Sequence, residues 1–270
     1  MNSVNFCNYE TCCPDVREQI ENTAKGLVSL LQSKIAGVYL GGSMVLGAFD
    51  KNTSDIDLTV VVNNDLSLSD KVSITSFLLT VNRRPCRLEI VFIVKETMLS
   101  SQRPPIHLFF CDYWIKTHKK VALGEGNVEE LLNIIFSDSD VITELKLIKQ
   151  SGICVYGLPI NEMITDVQDE LFWDTLSSQA VDSYVESEDV SQSAFKILQL
   201  CRFLAYAKIG IMLSKPKAAE WAITEVPSTY HSVILFSLYE KYKMGDGTPC
   251  TVDEAKLFKL YVLDSMGLRR

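Results

Sequence analysis

Histidine and basic charge are what this sequence has least of. Only three histidines occur in 270 residues (His107, His118 and His231), and the eight cysteines include no Cys-x-x-Cys pair. Cys7, Cys12 and Cys13 cluster near the start, yet no histidine stands at zinc-ligand spacing from them. The remaining cysteines sit singly among apolar neighbours and read as small buried hydrophobes, with reduced thiols suited to a reducing compartment. Lys and Arg total 26 against 34 acids, a formal net charge of −8. Phosphate backbones are held by surplus cations, so nucleic acid is not expected as a main partner. No apolar run approaches the ~20 residues that span a bilayer, and no membrane partner is expected. The opening MNSVNFCNYETCC lacks the basic region and apolar core of a signal peptide, which points to the cytoplasm. A monomer is expected.

The shortage of cations is sharpest between Lys149 and Lys196, where neither Lys nor Arg occurs. Nine acids fall there, among them Glu162, Asp182, Glu186, Glu188 and Asp189. Such a run is either a solvated face or a negative field that concentrates a cationic small molecule. Phe172, Trp173 and Tyr184 lie in the same stretch and could flank a sugar or an ammonium group.

Apolar residues make up 47% of the chain, enough to build one large or two modest cores. The informative stretch is VYLGGSMVLGAFDKNTSDIDLTVVV, residues 38–62. It predicts a strand, a Gly41-Gly42-Ser43 turn, a short helix and a second strand bearing Asp55 and Asp57. Alternate strand residues share a face, so the two carboxylates stand side by side while Ile56, Leu58 and Val60 enter a core. A divalent cation relieves their repulsion, and hard oxygen ligands at this spacing suit Mg²⁺ together with substrate phosphates. Glycines let backbone amides approach an anion, the helix start adds its dipole, and Ser43 can donate to the same phosphates. The bland alternative is a turn followed by a strand with solvated acids. The combination resembles the signature of the nucleotidyltransferase superfamily that includes DNA polymerase beta.

Residues 14–34 predict an amphipathic helix and 69–80 a second. RLEIVFIV, residues 87–94, predicts a third strand carrying Glu89 among core-forming residues. An acid there needs a partner: an ion pair with Arg87 or Arg84, or a place beside Asp55 and Asp57 as general base. Residues 106–114 read as a strand or buried turn, and Lys116 to Lys120 as a solvated edge. From Val128 onward the periodicity is helical, with helices expected over 168–185, 193–209, 215–225, 229–243 and 252–266. Strands mixed with helices, then helices alone, give an α+β chain. The expected fold is a mixed-sheet nucleotidyltransferase domain over 1–155 and an all-α bundle over 156–270. In the bundle, LQLCRFLAYAKIGIMLSKPKAAEWAI places Arg202 in an apolar helix and Lys215 in a Ser-Lys-Pro turn. Arg202 calls for an anion, either a triphosphate or an acid from a neighbouring helix.

Gly42-Ser43, Ser54-Asp55-Ile56-Asp57-Leu58, the Glu89 strand, and LQLCR followed by SKPKAAEWA together look like the aminoglycoside adenylyltransferases of the streptomycin 3″ / spectinomycin 9 type. The resemblance covers nearly the whole chain. It implies ATP-dependent transfer of AMP to an antibiotic hydroxyl, conferring resistance, with Asp55, Asp57 and Glu89 holding Mg²⁺ and Glu89 as base. Gly42, Ser43, Ser54, Arg202 and Lys215 would bind the nucleotide, and a nucleotide-contacting tyrosine is implied near Tyr239 or Tyr242. Trp173, Glu186, Glu188 and Asp189 are the candidate antibiotic contacts.

Two departures bear on the acceptor. The loop before the Arg202 helix, SYVESEDVSQSAF, lacks the Trp expected of streptomycin-modifying members, and Phe195 replaces an expected Asn. Spectinomycin, compact and cationic, is the better expectation. A different acceptor, protein or metabolite, and a silent nucleotide-binding regulator are the alternatives.

Overall fold

A computed structural model describes residues 5–98, 104–134, 141–183 and 190–268. The chain divides into two compact units, Cys7–Gln168 and Asp169–Arg270 with Met1–Phe6. Among the described residues no helix is long and apolar enough to cross a membrane.

The first unit is built on a mixed five-stranded sheet. Its elements are α1 (Pro14–Leu31), β1 (Ile35–Leu40), α2 (Gly42–Val45), β2 (Asp55–Val62), α3 (Leu68–Val81), β3 (Arg87–Val94), α4 (Lys95–Met98) and β4 (Ile106–Phe110). They continue with α5 (Ile115–Leu123), α6 (Val128–Ile134), α7 (Val141–Ser151), β5 (Ile153–Gly157) and α8 (Ile160–Met163). The strand order is β4-β3-β2-β1-β5. Only β2 and β3 run parallel, and α3 is their crossover. Alternation sorts the two central strands as their sequences predict. Ile56, Leu58, Val60, Leu88, Ile90 and Phe92 join the core with Val16, Ile20 and Leu27 of α1.

Buried Gln19 of α1 fixes the start of β3. Its amide donates to the Val81 and Cys86 carbonyls at 2.9 and 2.8 Å and accepts from the Cys86 N–H at 2.9 Å. Ser67 caps α3 in a reciprocal pair with Asp70, which also binds Lys34 at 2.7 Å.

Three sequence expectations change. The helical reading from Val128 onward missed β5, an edge strand against β1: Ile153 and Val155 pack on the core while Cys154 and Tyr156 are exposed, but ICVYG carries no polar residue on its outer side to show that alternation. A border at 155/156 would cut through this strand. Lys116, Lys119 and Lys120 are exposed on helix α5, in keeping with the solvated edge that the sequence predicts. The helix after the glycine pair is a single turn of four residues, so little dipole accumulates at its start.

The second unit is all helix: α9 (Asp169–Val181), α10 (Val190–Ile209), α11 (Lys215–Glu225), α12 (His231–Tyr242) and α13 (Val252–Ser265). Ile197, Leu198, Cys201, Phe203, Leu204 and Ala205 of α10 are fully or nearly buried, making it the central element. Ser214 caps α11, and a Thr251–Glu254 capping box opens α13. The fold is thus α+β, a nucleotidyltransferase-type mixed sheet followed by a helical bundle.

Candidate active site

The parallel pairing of β2 and β3 puts Asp57 opposite Glu89 and Asp55 opposite Arg87. All four are half-buried and leave the sheet on the face away from the α1 core. Arg87 Nε donates to Asp55 Oδ1 at 2.5 Å, and Arg87 Nη2 donates to the Thr53 carbonyl at 2.7 Å. The guanidinium takes one oxygen of Asp55 and is anchored by the turn before β2. Among the described residues no three His, Cys, Asp or Glu side chains gather as a metal-ligand group.

The glycine pair lies against two carboxylates. A Cβ on Gly42 would stand 1.6 Å from Asp57 Oδ2, and Gly42 has φ +61°, a combination only glycine tolerates. A Cβ on Gly41 would stand 1.8 Å from Glu144 Oε1 of α7. The Gly41 N–H donates to the Asp57 carbonyl at 3.0 Å, closing the entry to β2 onto the turn. An anion entering this turn meets the charges of Asp57 and Glu144, so it needs a cation with it. Asp57, opposite Glu89 in the strand pair, is the carboxylate that the Gly42 backbone approaches most closely.

Glu144 was not foreseen from sequence. The signal was present: in VITELKLIKQS it falls between Val141, Leu145 and Ile148, on the buried face of an amphipathic helix. An acid at such a position needs a reason.

Ser43 lies within α2, and its carbonyl accepts from the Ala48 N–H at 2.9 Å. The Ser54 hydroxyl accepts from the Asp50 N–H at 3.1 Å, holding the 50–54 turn and leaving its own proton to donate.

Arg202, Lys215 and Trp173 belong to the helical unit. Arg202 is half-exposed, and its Nε donates to the Leu213 carbonyl at 2.8 Å, so a backbone group meets part of the demand that the sequence assigned to an anion. Lys215 opens α11, with its ammonium 4.2 Å from the Phe195 ring centroid. Trp173 is half-buried. Its neighbour Phe172 is fully buried and packs edge-on against Tyr206 at 4.7 Å, which removes it from the candidate sugar-binding aromatics. Tyr242 is likewise buried and meets Phe6 edge-on at 5.4 Å, whereas Tyr239 is exposed beneath Lys243.

Tyr184, Glu186, Glu188 and Asp189 lie outside the described residues. The rest of the acidic run is exposed, but it has a counter-ion from its border: Lys149 stands 3.5 Å from Asp166.

Similarity to known proteins follows the same division. Residues 20–107 match the nucleotidyltransferase domain model, and residues 162–260 match the model of the aminoglycoside adenylyltransferase C-terminal domain. A spectinomycin 9-adenylyltransferase of Staphylococcus aureus is 27% identical over 244 residues, 86% of each chain. An aminoglycoside (3″)(9) adenylyltransferase of Shigella flexneri is 22% identical over 257 residues, 94% of this chain and 95% of that one. In fold, the chain is similar to the crystal structure of spectinomycin adenyltransferase AAD(9) from Enterococcus faecialis with ATP and spectinomycin. The TM-score is 0.73 at 18% identity, covering 93% of this chain and 99% of the other. Two domain models in the order of that family, with relatives aligned along most of the length, mark the chain as an enzyme with a nucleotidyltransferase domain, similar over most of its length to the aminoglycoside adenylyltransferases.

Proposed function

We propose that the enzyme transfers AMP from ATP to a hydroxyl of a cationic aminocyclitol antibiotic, conferring resistance, with spectinomycin preferred to streptomycin. The observation that carries the reading is the opposition of Asp57 and Glu89 on adjacent parallel strands, beside a glycine turn that admits an anion only with a cation. The names of the relatives support the same chemistry.

Nucleotidyl transfer depends mainly on positioning and charge neutralisation. Glu89 accepts the proton of the attacking hydroxyl. Asp55, Asp57 and Glu89 would hold Mg²⁺, which when bound neutralises charge on the α-phosphate and on the departing pyrophosphate. Gly42, Ser43 and Ser54 line the approach of the phosphates on the sheet unit. Arg202 and Lys215 are further candidate cationic contacts of the nucleotide. Hydroxyl oxygen to α-phosphorus is the bond formed, and α-phosphorus to the bridging oxygen is the bond broken. Trp173 and the acidic run with Glu186, Glu188 and Asp189 favour a compact cationic acceptor. Streptomycin is longer and lacks here the loop Trp on which its sugar would stack.

The test is pyrophosphate release with ATP, Mg²⁺ and a panel of aminocyclitols. Release with spectinomycin and little with streptomycin is expected, with an apparent KM that rises with salt as charge pairing is screened. Efficient streptomycin modification would refute the preference. Silence with both drugs would move the acceptor to another metabolite or a protein.

A further inference from the structure

Asp50 is the hub of the turn between α2 and β2. Its N–H donates to the Ser54 hydroxyl at 3.1 Å, and its carbonyl accepts from the Thr53 and Ser54 N–H groups at 3.1 and 2.8 Å. One carboxylate oxygen accepts from the backbone N–H and the side-chain amide of Asn52, at 3.1 and 3.3 Å. The other accepts from the Thr53 hydroxyl at 2.8 Å. Asp50 thus holds Thr53 through both its N–H and its hydroxyl, which fixes the direction of the Thr53 carbonyl. Arg87 Nη2 donates to that carbonyl at 2.7 Å, and Arg87 Nε donates to Asp55 Oδ1 at 2.5 Å. The relay starts from a firm point. Phe49 is fully buried, and its backbone exchanges two hydrogen bonds with Cys7, at 3.0 and 3.1 Å.

We propose, resting on the nucleotidyl-transfer reading, that Asp50 is a positioning residue for the transfer reaction, setting the Asp55 carboxylate through Thr53 and Arg87. Arg87 and Asp55 are both partly exposed, and an arginine held there by one contact alone keeps much of its rotamer freedom. A second anchor on a fixed carbonyl removes that freedom, so the planar guanidinium presents Nε in one place. Without the Asp50 carboxylate the turn keeps its main-chain bonds, while the Thr53 hydroxyl and the Asn52 N–H lose theirs. The Thr53 carbonyl is then free to swing, and the Arg87–Asp55 pair swings with it. The loss falls on the chemical step, where small displacements of a carboxylate count most, and not on binding. Two other roles for Asp50 predict different results. Tying down a surface turn would affect stability and leave catalysis unchanged. A direct electrostatic role would need the charge of the side chain and not its hydrogen bonds.

The experiment compares Asp50→Ala, Asp50→Asn, Thr53→Val, Arg87→Ala and the Asp50→Ala/Arg87→Ala double variant of the full chain, each well below its melting temperature, by two readouts. The first is pyrophosphate release with ATP, Mg²⁺ and spectinomycin. Asp50→Ala should lower kcat about tenfold and leave KM for ATP and spectinomycin within about twofold. Thr53→Val, which removes only the hydroxyl, should reproduce that loss and guards against a misfolded Asp50 variant. Asp50→Asn should recover most of the rate, because its amide oxygen still accepts from Asn52 and its NH₂ can meet the Thr53 hydroxyl. The double variant should be no slower than Arg87→Ala, since both changes act through one guanidinium. The second readout is exchange of the Arg87 Nε proton followed by NMR, without nucleotide, metal or acceptor. Asp50→Ala should speed that exchange several-fold, and Asp50→Asn should not. Wild-type kcat in Asp50→Ala would overturn the proposal, as would unchanged Nε exchange, additive losses in the double variant, or an Asn variant as impaired as Ala. Silence with every aminocyclitol would refute the acceptor reading, and the exchange measurement would still decide whether Asp50 holds Arg87. The two readings therefore fail separately.

Discussion

Arg87 and Asp55 grip each other across the parallel β2–β3 pair, Nε to Oδ1 at 2.5 Å, two residues ahead of the Asp57–Glu89 opposition. Their side chains are 34% and 35% exposed, a setting in which an ion pair adds about 0–1 kcal/mol to stability. Its consequence is local. One Asp55 oxygen is committed and the other is left for a ligand. Arg87→Ala should leave the melting temperature almost unchanged and strengthen Mn²⁺ binding, since a competing cation is gone. It should lower kcat, since Asp55 loses its orientation. Mn²⁺ titration followed by the spectrum of the free ion checks the first, and steady-state kinetics the second. Weaker Mn²⁺ binding would contradict the competition.

Asp57→Asn keeps shape and removes charge where the Gly42 backbone comes closest. Transfer should be abolished with an unchanged melting curve. Wild-type turnover with Mg²⁺ present would end the carboxylate metal model.

Glu89→Gln should lower the rate by about 10²–10⁴-fold, the usual contribution of a general base, with a smaller effect on ATP affinity. Titration calorimetry beside single-turnover kinetics separates the two. A collapse of ATP affinity with intact residual turnover would make Glu89 a ligand and not a base.

Gly42→Ala inserts a methyl group into the position of Asp57 Oδ2 at a backbone angle of +61°. Backbone strain of this kind costs about 1–3 kcal/mol. Lower stability and a loss of transfer comparable to Asp57→Asn are expected, read by chemical denaturation and pyrophosphate release. Gly47→Ala, also at positive φ but with open space around it, should lose stability and keep activity.

His118 supplies a pH dependence unconnected with catalysis. It is fully buried and stacked on Phe110 at 4.5 Å, and its Nε2 accepts from the Cys111 N–H at 3.3 Å. Among the described residues Nδ1 has no hydrogen-bond partner. Burial pushes its pKa down to about 4. The folded state thus binds fewer protons than the unfolded state between that value and the ordinary histidine range. Stability is fully present above about pH 6.5 and falls as pH drops toward 4, by at most about 3 kcal/mol. His118→Gln should flatten the slope of unfolding free energy over this window. An unchanged slope would assign the acid sensitivity to other groups.

The sheet and its acidic face were legible because both depend on alternation. Ile56, Leu58 and Val60, with Leu88, Ile90 and Phe92, leave no other side for Asp55, Asp57 and Glu89. The helices of the second unit were legible for the same reason, through 3.6-residue spacing and clear N-caps such as Ser214 and Thr251. Residues whose meaning comes from distant partners were not. The partner of Arg87 depends on parallel register, and that of Glu144 on where α7 meets the glycine turn. β5 escaped because its exposed positions, Cys154 and Tyr156, are not charged or strongly polar, so the alternation with Ile153 and Val155 is invisible in the sequence.

The parallel register of β2 and β3 also decides where the chain tolerates changes in length. One residue inserted within β3 would turn Leu88 and Ile90 outward and send Glu89 into the core, so that packing and chemistry fail together. The segment between the two strands is under no such constraint at its exposed turns. Residues added around Asn64–Asp65 lie outside both strands and leave the Asp57–Glu89 opposition untouched. Within this family fold, natural length variation should therefore collect in the crossover and stay out of the two strands it joins.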